Sequence, residues 1–213
     1  MSKFILIFLL IPFTTLFGQT LRFDLMVKYS ISLNGFNFER STFGISTNDN
    51  YMMQIFNNHD GSQTAKVFDL KSLKIYEYNL IEEKSNIESG EIKFVYLNTI
   101  PFSSYFPNIS YERRINFDFE KLSTENDIET LNLTFYKNKS KTKPKGNLEL
   151  KVLNSELNLF PLFRFTCLHT LECINELNYH KPGLVTSAIS GNGYEKYTLK
   201  TFEEISLELS LPN

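Results

Sequence analysis

The chain has 213 residues with 20 Phe, 11 Tyr and no Trp, and its formal charge is −2. That balance excludes a basic surface for nucleic acid, and nine Gly with seven Pro exclude a fibrous or low-complexity chain. Aromatic side chains in such number pack well on pleated surfaces, so composition points to a mainly β protein.

In chain order, Lys3 and the apolar run from Phe4 to Phe13 have the charge and length of a secretory leader, too short for a membrane span. Gly18 offers a small residue for cleavage. Residues 1–18 are therefore expected to be a signal peptide, and residues 19–213 a single β-rich domain exported to the periplasm, the cell surface or beyond. No Cys lies near the cut, which excludes lipoprotein processing, and no later apolar run is long enough for a membrane helix.

From Leu21 to Leu33 apolar and polar residues alternate, the period of a half-buried strand. Asn34-Gly35 is a hairpin signal, and Phe36 to Ser46 is the returning strand. Three further strands up to Leu80 are separated by Asn48-Asp49-Asn50, by His59-Asp60-Gly61 and by Leu70-Lys71-Ser72, each rich in residues that tolerate turns. Residues 81–90 read as a polar loop and Glu91 to Asn98 as a strand. Ile100-Pro101 to Pro107 cannot be a central strand, because proline donates nothing to a ladder. Its Phe102, Tyr105 and Phe106 are expected to form an aromatic loop over the core or over the mouth of a cavity.

Three more alternating strands centre on Phe117, Leu133 and Leu150, with one wet face. Between the last two, the lysine-rich stretch from Lys137 to Gly146 reads as a solvated hairpin tip in preference to an anion site. An apolar stripe of Phe163, Cys167, Leu171, Ile174 and Leu177 predicts one helix, from Pro161 to Lys181-Pro182-Gly183. The strands Leu184 to Ser190, Tyr194 to Lys200 and Phe202 to Leu211 close the chain. About 11 strands joined by hairpins, with one helix in the C-terminal half, fit a curved antiparallel sheet or half barrel with the helix packed against it.

Chemical motifs are sparse. His169, Cys173, Glu176 and His180 would share one stripe of a continuous helix, which is zinc-like spacing but more simply the helix's polar flank, so no metal or other cofactor is expected. On such a helix Cys167 and Cys173 stand about 9 Å apart, beyond the roughly 7 Å reach of a disulfide. Cys167 is then a buried small hydrophobe. There is no nucleophile elbow, no phosphate loop and no carboxylate pair in a setting that separates two pKa values, so no enzyme activity is expected.

Two stretches carry resemblances. Tyr51-Met52-Met53-Gln54-Ile55, Gly61, Ala65-Lys66-Val67-Phe68-Asp69-Leu70 and Lys74-Ile75-Tyr76-Glu77-Tyr78 resemble the repeated strands of the outer-membrane lipoprotein carrier half-barrel family. Lys181-Pro182-Gly183-Leu184-Val185 is similar to the hallmark of the family of exported Bacteroidetes proteins named for Gly-Leu-Pro-Gly-Leu-Ile, with Lys and Val at its first and last differing positions. The first resemblance implies an unclosed barrel whose concave apolar face binds acyl chains or another hydrophobic ligand. The expected function is therefore an exported, non-enzymatic envelope protein that binds a lipid-like ligand or lipidated partner, with Phe102, Tyr105, Phe106 and Phe163 at the ligand. The competing reading is a structural or interaction module of the envelope with a solid core.

Overall fold

Hairpin by hairpin, the alternating segments become strands. The computed structural model describes residues 18–83, 91–105, 116–136, 141–168, 177 and 179–212. In β1 (Thr20–Leu33) the odd-numbered apolar residues from Leu21 to Ile31 are buried, as period two requires. It is followed by β2 (Phe36–Ile45), β3 (Asn48–Asn57), β4 (Gln63–Asp69), β5 (Lys74–Glu83) and β6 (Glu91–Pro101). A short helix, α1 (Phe102–Tyr105), precedes β7 (Asn116–Glu125), β8 (Ile128–Tyr136) and β9 (Pro144–Asn154). Then come α2 (Phe160–Cys167), β10 (Gly183–Ser190) and β11 (Glu195–Ser210).

The turns show their chemistry. Asn34 and Gly35 both take positive φ, 50° and 87°, as the tight hairpin demands. The β2–β3 turn falls at Ser46-Thr47, earlier than expected. The Asp24 carboxylate accepts hydrogen bonds from the Ser46 amide at 2.7 Å and its hydroxyl at 2.5 Å, which holds the turn there. Asp60 accepts from the Ser62 amide in the next turn, and Asp69 accepts from the amides of Lys71 and Ser72 in the third.

All eleven strands form one open antiparallel sheet in the order β6-β5-β4-β3-β2-β1-β11-β10-β9-β8-β7. The first and last strands pair at its centre, and β6 and β7 are its edges. Pro101 ends β6 opposite Lys74, a place an edge strand allows. The two strands expected after Tyr194 are one strand, β11. Its pairing with β1 shifts register between Lys28 and Tyr29 and again between Phe23 and Leu25, each time with an extra residue on β11. These bulges break the alternation without breaking the strand.

The core lies on both faces of β3 and β4. Met52 and Phe68 join the larger cluster, which includes α2; their sequence neighbours Met53 and Val67 join a second cluster with Leu21, Phe23, Tyr78 and Leu209. In β8 and β9 burial alternates, so that side of the sheet keeps its wet face.

The helix is shorter than its stripe suggested. It ends at Cys167, Leu168 is extended (φ −88°, ψ 165°), and Leu177 and Tyr179 are not helical. Arg40 donates to the Thr166 carbonyl at 2.9 Å, satisfying a terminal acceptor from a strand 126 residues away. Arg164, from within the helix, donates to the Leu177 carbonyl and ties the returning chain down. Cys167 is buried; Cys173, Leu171 and Ile174 lie outside the described residues.

Candidate functional site

The aromatic residues expected at the ligand form a packed interior. The Phe102 amide donates to the Leu73 carbonyl at 2.9 Å, so α1 starts against the β4–β5 turn. Phe102 is fully buried, edge-on to Phe68 at 5.9 Å, and Tyr105 meets the same ring at 6.0 Å. Lys66, paired with Glu77 at 2.8 Å, stands 4.2 Å from the Tyr105 ring centre. Phe163 is fully buried on α2 and touches Tyr29, Phe160 and Tyr197. Phe68 meets Phe165 of the same helix at 4.9 Å, so Phe102, Tyr105 and Phe163 belong to one continuous aromatic plug. Phe106 lies outside the described residues.

Beside that plug, at the C-terminal end of α2, is a cavity of about 690 Å³. Its apolar wall consists of Leu33, Phe135, Leu148, Cys167, Leu168 and Tyr197. Arg40, Lys145 and Glu195 bring charge to it, and the β10–β11 turn from Ser190 to Asn192 adds uncharged polar groups. That turn is braced: the Gly191 amide donates to the Asn147 carbonyl at 3.1 Å, and Ser190 Oγ to Asn192 Oδ1 at 2.7 Å. The Glu195 carboxylate accepts from the Tyr197 hydroxyl at 3.3 Å. Tyr29, beneath Phe163, donates its hydroxyl to the Val185 carbonyl; burial, then the Cys167 sulfur, push its phenol well above the ordinary range, so it stays neutral. None of Phe102, Tyr105 and Phe163 lines this cavity. What could have pointed to it is the pairing of Arg40 and the lysine hairpin with apolar neighbours, but sequence places these more than a hundred residues apart.

A second polar centre surrounds Glu129. It alternates in phase with Leu131, Leu133 and Phe135, so β8 aims its carboxylate at the core side. The Tyr179 hydroxyl donates to it at 2.5 Å, Lys181 Nζ at 2.9 Å and Lys121 Nζ at 3.0 Å. Those three bonds, Tyr179's first, hold the carboxyl at about 2. Burial and the neighbouring carboxylate in turn push the Tyr179 phenol up. A carboxylate so firmly ionised is an anchor, unsuited to proton transfer near neutrality. It fastens the segment leading into β10, where a Cβ on Gly183 would stand 2.6 Å from Val152 Cγ1.

His169, Cys173 and Glu176 lie outside the described residues. His180 sits beyond the helix with its ring 4.9 Å from that of Tyr179. Among the described residues no three His, Cys, Asp or Glu side chains cluster as metal ligands would. In the lysine-rich hairpin, residues 141–146 are exposed, and Lys141 pairs with Asp118. No helix among the described residues is long and apolar enough to cross a membrane. No family model matches the chain, and no curated protein matches it.

Proposed function

We propose that this is an exported, non-catalytic envelope protein that binds a lipid-like ligand, and that the cavity at the end of α2 receives it. The observation that carries this reading is the cavity itself: about 690 Å³, with an apolar wall and a few charged groups. Small-molecule sites commonly occupy about 300–1,000 Å³ and combine those two features. The leader-like N-terminus and the resemblance to acyl-binding half barrels support the same conclusion. A lipidated partner would be held through its acyl chain. The aromatic plug then backs the cavity wall from behind, through the contact of Phe163 with Tyr197.

Native mass spectrometry of the protein purified from its source, beside a denatured control, tests this. Extra mass that disappears on denaturation is expected. Gly146 lines the cavity opposite Phe135, and a Cβ there would meet nothing within 4 Å. Gly146→Trp should therefore fill the cavity and abolish the extra mass while the melting temperature holds. A bare polypeptide mass from the unaltered protein would sink the reading.

One observation favours the second reading, an interaction module with a solid core. The edge strand β6 exposes Val95, Tyr96 and Leu97 in succession. A bare mass, together with a cross-linked partner lost in Val95→Lys, would support it.

A further inference from the structure

We propose, resting on the cavity reading above, that the ligand carries an anionic oxygen head, carboxylate or phosphate, and that Arg40 reads it. Three charged residues line the cavity: Arg40, Lys145 and Glu195. Glu195 belongs to the β10–β11 side and already accepts the Tyr197 hydroxyl. Arg40 comes from β2 and is held in place twice, by its bond to the Thr166 carbonyl and by its stacking 5.5 Å from the Phe38 ring centre. Capping the helix explains one terminal nitrogen of a group that has five N–H donors. Among the described residues no carboxylate forms an ion pair with Arg40, whereas Lys66, Lys121 and Lys181 each have one.

A half-buried guanidinium beside Phe135, Leu148 and Leu168 is poorly matched by an alkyl chain and well matched by a forked anion. Apolar walls also strengthen the attraction, because the local dielectric is below that of water. The ligand is thus a single-chain amphiphile with its tail along the apolar wall and its head at Arg40. Lys145 also lines the cavity but lacks the planar fork that fixes orientation.

Three probes of equal chain length separate the possibilities: dodecanoate, dodecyl phosphate and dodecanol, each titrated into the full exported chain by calorimetry at fixed ionic strength. The unaltered protein should bind at least one anion about tenfold or more tighter than the alcohol, the scale expected of a charge-assisted hydrogen bond. Which anion wins identifies the head. Arg40→Gln should reduce anion binding to the level of the alcohol, and Arg40→Lys should restore part of the preference, with melting temperatures confirming that both fold. Equal affinity for anions and alcohol overturns the head-group assignment and leaves the cavity reading standing. No binding of any probe overturns both. A preference that survives Arg40→Gln but vanishes in a Lys141→Gln, Lys143→Gln double variant overturns the assignment in favour of diffuse charge on the hairpin.

Discussion

Glu129 is an ordinary residue in sequence and an unusual one in space. Its donors lie 8, 50 and 52 positions away, at Lys121, Tyr179 and Lys181. Nothing local marks it beyond an acidic side chain in phase with an apolar strand face. The consequence is measurable. With a folded value of about 2 against the ordinary 4.5, the native state binds fewer protons than the unfolded state between those values. Stability from this group is therefore complete above about pH 4.5 and is lost as pH falls toward 2. Two of its donors are half exposed, so its contribution is about 2 kcal/mol, less than the full shift implies. Urea denaturation across pH 2–7 should show this decline in the unaltered protein. Glu129→Gln should be less stable at pH 7 by that amount, and the gap should close on acidification. Parallel stability curves would refute the assignment.

At the scale of elements, α2 is docked by shape. A Cβ on Gly44 would stand 2.5 Å from Leu162 Cδ2 and 3.3 Å from its Cγ, and Leu162 is buried. Gly44→Ala should cost about 1–3 kcal/mol by overpacking, read as a lowered denaturation midpoint. In the Gly44→Ala, Leu162→Ala pair the losses should be less than additive, because the second change vacates the space the first needs. Additive losses would mean that the two residues do not meet. Elements were legible wherever one local rule governed them. The alternation from Leu21 to Ile31 and the Asn34-Gly35 turn both appear as read. The end of α2 was not legible, since Arg40 supplies its cap from another strand, nor was the continuity of β11, since bulges disguise a single strand as two. Of the candidate site, the aromatic residues were legible as apolar but not as plug or cavity wall. That difference depends on which strands lie opposite each other.

At the scale of the whole molecule, the sheet formed by the described residues has two edges, and they are unlike. β7 carries Asp118, Glu120, Lys121 and Glu125, whereas β6 exposes Val95, Tyr96 and Leu97. The register shift against β5 at Glu77 and Tyr78 leaves Leu97 as the extra residue on β6, a bulge that spoils the edge as a template. Val95→Lys should further reduce association on heating, seen as lower light scattering at an unchanged midpoint. Increased scattering would show that this edge does not direct association. Strand order itself was not readable, because pairing between β1 and β11 has no local signature.

The place of β1 also has a consequence in time. It lies between β2 and β11, and near its start the Leu211 amide bonds to the Gln19 carbonyl. Until β11 is available, one side of β1 has no partner. The half-built protein is therefore a sheet with an open inner edge, the condition that invites mispairing. Closing it requires the longest loop in the fold, so the decisive contact is also the slowest. Adding hairpins in chain order cannot complete this sheet; β11 has to return to β1, and the closure falls at the middle.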